Sequence, residues 1–353
     1  MDLFSYSRIF LVFIPLSMIA YWLHWNSLWV FTSSCLAIVP LAIYMGVATE
    51  QITLYTGAKV GGLLNATFGN ATELIIAFFA LREGLYDVVK ASIAGSVMGN
   101  ILLVLGASMM VGGLKYKAQS FNRQSVEVST GMLTFSIIGL GVPAVFLHSV
   151  KPELLDTWHY EPLSLMVATI MLTIYISGLY FSFITHQDIL KINNQESEFP
   201  KWSLRNSVLV LLAATVVIAL ESEFLVESIE PVTKNWGISE FFIGIILLPI
   251  IGNAAEHSTA VWMSRKNQMD ISFEIAIGSC LQIILFVMPV LVLVGALINR
   301  TISVVFSEFE LISLIVAVLI ANRVSGDGKS NWLEGALLIA VYLIIAVCFL
   351  WLK

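Results

Sequence analysis

Charge is what this sequence has least of: only 12% of its 353 residues are Asp, Glu, Lys or Arg, against 58% that are apolar. A soluble domain carries roughly 25% charged residues on its wetted surface, so the shortage excludes one. Basic runs are missing too, which removes the footprint of a nucleic-acid binder. The net charge of -6 is small for the length, so charge matters by position rather than by total. Cysteine is scarce, and Cys35, Cys280 and Cys348 all fall in apolar stretches without a CxxC spacing. They read as small hydrophobes, not as a thiolate metal site or a disulfide framework. HExxH, GxSxG and GxxxxGK[ST] are all absent, which leaves no metalloprotease, serine-hydrolase or nucleotide-binding signature.

What is there is a series of long apolar runs. A bilayer span needs roughly 20 such residues, and reading for them gives about eleven: 9–23, 28–49, 60–81, 88–113, 126–147, 163–185, 206–228, 241–263, 271–298, 302–322 and 332–352. The head before residue 9 is not strongly basic and no small-residue cleavage site follows, so the first run is read as a span and not a signal peptide. Residues 186–205 form the longest polar stretch, with Asp188, Lys191, Glu196, Glu198, Pro200 and Lys201. The expected organisation is a multi-pass, all-α membrane protein: an N-terminal helix in 1–27, five helices in 28–185, a polar linker at 186–205 and five helices in 206–353. Counting Lys and Arg in alternate loops places twelve on the N-terminal side and six opposite. The excess of positive charge puts the N-terminus and the linker in the cytoplasm.

Slid against itself by 183 positions, the chain gives fourteen identities in the forty-four residues from 61 to 104. They include Gly69 with Gly252, Asn70 with Asn253, Glu73 with Glu256, Arg82 with Arg265, Asp87 with Asp270 and Ser96 with Ser279. Shared apolar letters arise from composition, but matched Asn, Glu, Arg and Asp in so apolar a chain point to internal duplication. The two glutamates fall on the third and eighth spans. Five spans apart is an odd number, so the copies are expected to run through the membrane in opposite directions, as an inverted repeat of the kind that builds secondary transporters. At 1.5 Å per residue, Glu73 lies roughly 12 to 18 Å from either end of its span, which is mid-depth.

An acid at that depth costs about 3 kcal/mol on insertion scales and needs a reason. Asn70 and Glu73 are three apart, as are Asn253 and Glu256, so each pair is expected to share a helix face. Ser96 and Asn100 on the fourth span, and Ser279 and Gln282 on the ninth, offer further oxygens. Carboxylates, amides and hydroxyls suit a hard cation such as Ca²⁺. Plainer readings stand beside this one. A polar residue in a membrane helix is more often interhelical glue, and Asn100 taken alone reads that way. A structural salt bridge for either glutamate lacks a Lys or Arg inside the spans. His257 is either a proton relay or a neighbour satisfied by its own hydrogen bonds. Glu50, Glu221, Glu223 and Glu227, near span ends, are an acidic vestibule or, more simply, a solvated face.

Gly-Asn-Ala-Thr-Glu-Leu at 69–74 with Gly-Ser-Val-Met-Gly-Asn at 95–100, and Gly-Asn-Ala-Ala-Glu-His at 252–257 with Gly-Ser-Cys-Leu-Gln at 278–282, resemble the paired α-repeats of the calcium/proton antiporters. These form the cation/proton exchanger family of the Ca²⁺/cation antiporter superfamily. The resemblance covers the whole chain and implies the Na⁺/Ca²⁺ exchanger-like fold, with an unpaired first helix. It implies that Glu73 and Glu256 bind Ca²⁺ and protons in turn, helped by Asn70, Asn253, Ser96, Ser279 and Gln282. It also implies that spans two and seven rock or slide against the rest. Sodium-coupled relatives carry Ser or Thr where Asn70 and Asn253 stand, which favours H⁺ as the partner ion. The linker is less acidic than is usual, and the long N-terminal extension of plant members is not expected here. The resulting expectation is export of cytosolic Ca²⁺ against H⁺ by alternating access, in a prokaryotic cell membrane. Ca²⁺ is cargo, no cofactor is called for, and homo-oligomerisation is left open. A sodium-coupled exchanger of the same fold, or a Ca²⁺ channel, are the alternatives.

Overall fold

Lipid offers no hydrogen bonds to a backbone, so each apolar run closes its own as a helix. The computed structural model describes residues 8–149, 157–186, 199–237 and 239–351. In chain order the helices are α1 (Arg8–Trp22), α2 (Ser27–Thr56), α3 (Ala58–Phe68), α4 (Ala71–Arg82), α5 (Tyr86–Tyr116), α6 (Arg123–Ser149) and α7 (Glu161–Thr185). They continue with α8 (Leu204–Trp236), α9 (Glu240–Gly252), α10 (Ala254–Arg265), α11 (Met269–Leu297), α12 (Glu308–Val324) and α13 (Trp332–Trp351). Among the described residues eight segments are long and apolar enough to cross a membrane, and the interrupted pair α9–α10 passes the same test together. Two expected spans are shorter helices, α1 and the 17-residue α12. The run read as 302–322 becomes helical only at Glu308. Ser307 and Glu310 form a reciprocal capping box there, which fixes the start of the helix. Most of the polar linker, 187–198, lies outside the described residues.

The chain forms two compact units. The first comprises residues up to Ser92 together with Asn193–Ala255, and the second comprises Ile93–Ile192 with Glu256–Trp351. Each therefore draws on both halves of the sequence, and the boundaries fall inside α5 and α10.

In the first unit α2 and α8 lie along one another. Asn26 caps α2, its side chain accepting from Leu28 N at 3.0 Å, and the helix ends at Gly57, whose φ of 81° no side-chain-bearing residue adopts cheaply. Ser203 caps α8 and Gly237 closes it in the left-handed conformation. Leu41, Met45, Ala48 and Ile52 of α2 pack with Leu211, Ala214 and Ile218 of α8. Gln51 Oε1 accepts from the backbone N–H of Lys201 at 2.6 Å and of Trp202 at 3.1 Å, anchoring the start of α8 to α2. Helix α1 covers one end, with Tyr21 stacked on Phe224 at 4.1 Å.

In the second unit α13 packs on the later part of α5 through facing glycines. A Cβ on Gly335 would stand 2.4 Å from both Gly106 O and Met110 N, so the two backbones touch. Helix α11 packs against α5 and α6. Two short strands, β1 (Ala118–Ser120) and β2 (Lys329–Asn331), pair antiparallel with Gln119 opposite Ser330. Gln119 is buried and donates to Ser264 O at 2.9 Å, which ties this strap to the end of α10.

Candidate cation site

Both glutamate spans break at the same place. Helix α3 stops at Phe68, Asn70 takes φ −108° and ψ 25°, and α4 begins at Ala71. In the second copy Asn253 takes φ −94° and ψ 10° between α9 and α10. The expectation that each Asn and Glu share a helix face is corrected here. The asparagine stands outside the helix, at the break, and the glutamate sits in the first turn of the helix that follows. A Gly-Asn pair in mid-span is what permits this. Asn253 Nδ2 donates to Pro249 O at 3.1 Å, the carbonyl that also accepts the Asn253 backbone N–H, so the side chain folds back onto the last turn of α9. A carboxylate in a first turn also faces the positive end of the helix dipole.

The sequence repeat recurs in the backbone. Ala71–Arg82 and Ala254–Arg265 have both bounds displaced by 183, the interval that also separates Val97 from Cys280. The turns that follow place Gly84 and Asn267 at positive φ, 80° and 64°, at matched positions. Further on, α5 and α11 each carry a π-helical stretch, Gly99–Val104 and Ile283–Val287, ending at matched residues. Such extra-residue turns cluster at functional sites.

In the first unit Asn70, Glu73 and Asn253 are all buried. A Cβ added to Gly252 would lie 2.7 Å from Glu73 Oε1, so the backbone of α9 passes directly against the carboxylate of α4. The glycine is needed there because any side chain would push the carboxylate aside.

In the second unit Ser96, Asn100 and Ser279 are buried, and Glu256, His257 and Gln282 are half-buried. Asn100 Nδ2 donates to Ser279 Oγ at 2.9 Å, joining α5 to α11. Ser279 in turn lies within hydrogen-bonding reach of the Glu256 carboxylate. Cys280 Sγ approaches Val97 O at 3.5 Å, a contact between a residue and its own repeat equivalent. Glu256 Oε2, His257 Nε2 and Asn100 Oδ1 are buried and have no hydrogen-bond partner among the described residues. Asn100 is therefore glue through its amino group and an available acceptor through its oxygen. No group of three or more His, Cys, Asp or Glu gathers among the described residues, so a cation would depend on amide and hydroxyl oxygens beside the acids. Ser279→Ala removes a hydroxyl held by Asn100. On the ligand role that the resemblance implies for Ser279, the change is expected to weaken Ca²⁺ binding by about 1 kcal/mol, roughly fivefold, with turnover retained; the Ca²⁺ dependence of transport measures this, and an unchanged dependence makes Ser279 packing only.

The four outlying acids do not form one vestibule. Glu50 is exposed, and Glu223 receives a hydrogen bond from Arg82 Nη2 at 2.5 Å. Glu227 accepts from Tyr21 Oη at 2.7 Å, while Glu221 is wholly buried, which a solvated face does not explain.

Comparison with known proteins adds to this geometry. The profile of the sodium/calcium exchanger protein family matches residues 26–184 and 206–351. The Ca²⁺/H⁺ antiporter ChaA of Bacillus subtilis is 46% identical over 97% of this chain and 99% of its own. A Ca²⁺/H⁺ antiporter of Aphanothece halophytica is 45% identical over 96% and 94%. The solved structure of native YfkE superposes with a TM-score of 0.85 at 43% identity, covering 98% of this chain and 99% of that one.

Proposed function

The chain belongs to the sodium/calcium exchanger protein family, and from that premise we propose that it carries Ca²⁺ across a membrane in exchange for protons. The observation that carries the reading is the duplicated break, with a glutamate in the first turn beyond Asn70 and again beyond Asn253. The names of its full-length relatives agree. The two halves, 28–185 and 206–353, are read as inverted repeats. The odd separation of the two glutamate spans, five, supports this, and so does the meeting of Val97 with Cys280, since equivalent residues touch where a twofold axis passes.

Charge compensation supplies the mechanism. Glu73 and Glu256 together bear two negative charges, which one Ca²⁺ cancels. Asn70, Asn253, Ser96, Ser279 and Gln282 are the further oxygens this reading assigns to the cation, in the number a hard cation prefers. Without the cation, two protons do the same neutralising, and His257 beside Glu256 assists their passage. Either loaded form is nearly neutral and crosses the barrier between the two open states; the doubly charged empty form does not, because bare carboxylates in a low-dielectric site are costly. That difference couples the two fluxes. No bond is made or broken and no cofactor takes part. The N-terminus lies in the cytoplasm of a prokaryotic cell, so Ca²⁺ leaves as protons enter. Each chain holds a full set of these residues, so one copy suffices whether or not copies associate.

The test is ⁴⁵Ca²⁺ uptake into liposomes holding the purified protein, with the membrane potential clamped and first a pH gradient, then a Na⁺ gradient, imposed. Uptake driven by outward proton movement alone is the expected result. Uptake only with Na⁺ replaces the proposal with sodium-coupled exchange, and flux indifferent to both gradients replaces it with a channel.

A further inference from the structure

Glu221 lies mid-way along α8, far in sequence from either repeat motif, and is completely buried. Ser17 Oγ of α1 stands 2.7 Å from Glu221 Oε1 and, at the same 2.7 Å, from the backbone carbonyl of Ile14. Counting hydrogens decides what this means. A serine hydroxyl has one hydrogen, and a backbone carbonyl has none to give. If the carboxyl were ionised, two acceptors, Glu221 Oε1 and Ile14 O, would share the one Ser17 hydrogen, yet both contacts are at the full-strength O–H···O distance, where a shared hydrogen would lengthen them. A second hydrogen resolves it: the carboxyl O–H donates to Ser17, and Ser17 donates to Ile14 O.

The neighbourhood agrees. No Lys or Arg pairs with Glu221 among the described residues. Arg82 of α4 is taken by Glu223, and the phenol of Tyr21 on α1 is taken by Glu227. From α2 the Ser34 hydroxyl faces the carboxyl. Glu221 Oε2 has no hydrogen-bond partner among the described residues. An ionised carboxylate so placed would be an uncompensated charge at membrane depth.

We propose that Glu221 is a further proton-binding site, separate from the two repeat glutamates, whose proton stays in place when Ca²⁺ is bound and fastens α1 to α8. Helix α1 lies outside the repeats, and this chain of hydrogen bonds makes it part of the α2–α8 bundle. The bound proton is structural: it neutralises the group and supplies the donor that the Ser17–Ile14 pair lacks.

Infrared difference spectroscopy tests this without any transport assay, so its outcome is separate from that of the exchange experiment. With Ca²⁺ saturating, the repeat glutamates are ionised and contribute no protonated-carboxyl band. The wild-type protein is expected to keep such a band and Glu221→Gln to lose it. Ser17→Ala should move the same band to the frequency of a weaker hydrogen bond. Glutamine keeps an N–H to donate to Ser17, so Glu221→Gln should retain thermal stability and exchange, whereas Glu221→Ala should lose stability. Identical spectra for wild type and Glu221→Gln would show an ionised group and overturn the proposal. Loss of exchange in a stably folded Glu221→Gln would overturn it too, by placing Glu221 among the transporting carboxylates.

Discussion

Glu256→Gln is expected to abolish exchange, and Glu73→Gln to do the same, with both proteins folded. Glutamine keeps the volume and one oxygen of the glutamate but removes a unit of charge. In the proposed mechanism Ca²⁺ then enters with one positive charge uncancelled, at a cost on the order of 3 kcal/mol, which alone lowers occupancy roughly 100-fold. The return leg fails as well, since an amide cannot take up and release the proton that the carboxyl carries. Two losses in one cycle leave nothing measurable. Helix α10 does not need the charge for packing: no Lys or Arg forms an ion pair with Glu256 among the described residues, and its Oε2 makes no hydrogen bond there. Melting temperature and ⁴⁵Ca²⁺ uptake under a pH gradient measure the two halves of the prediction. Robust uptake by either variant would end the paired-carboxylate mechanism.

The second large effect is structural. Gly335→Ala adds one methyl group where α13 meets α5, at 2.4 Å from Gly106 O and Met110 N. Both are backbone atoms, so no side chain swings aside and a helix must move. Overpacking of this kind costs about 1 to 3 kcal/mol in soluble cores, and in a membrane the small-residue contact is itself a main source of helix association. The expected outcome is a lowered melting temperature and poor yield of monodisperse protein in detergent. Gly131→Ala on α6, where a Cβ meets nothing within 4 Å, serves as the control and should melt like wild type. Equal melting of Gly335→Ala and wild type would mean that α13 does not sit this close to α5.

The membrane-spanning helical architecture was legible in the sequence because lipid leaves an apolar run little choice of structure. The duplication was legible because Asn, Glu, Arg and Asp recur at one interval where such letters are rare. The breaks at Asn70 and Asn253 were not, since hydropathy runs straight through them; the sign to read was a Gly-Asn pair in mid-span. The start of α12 was also written in the chain, as Ser307 followed three residues later by Glu310, a cap signature that the apolar run before it concealed. Which helices pack together was beyond reach, because both compact units take helices from both halves. Asn100 shows the limit most clearly. Its letter cannot say that its amino group would be spent on Ser279 while its oxygen stays available.

The π-helical stretches of α5 and α11 impose a constraint of register. Each holds about one residue more than an α-helix of the same rise would, so a one-residue deletion inside it closes to an ordinary α-turn and leaves what lies beyond nearly in register, whereas the same deletion elsewhere in the helix turns everything beyond it through roughly 100° about the axis. In α5 the part held in place is 105–116, with Gly106, the glycine that lets α13 come close. In α11 it is 288–297, with the buried Leu291 and Val292. Inside either stretch a deletion is thus a local tightening, and outside it a rotation.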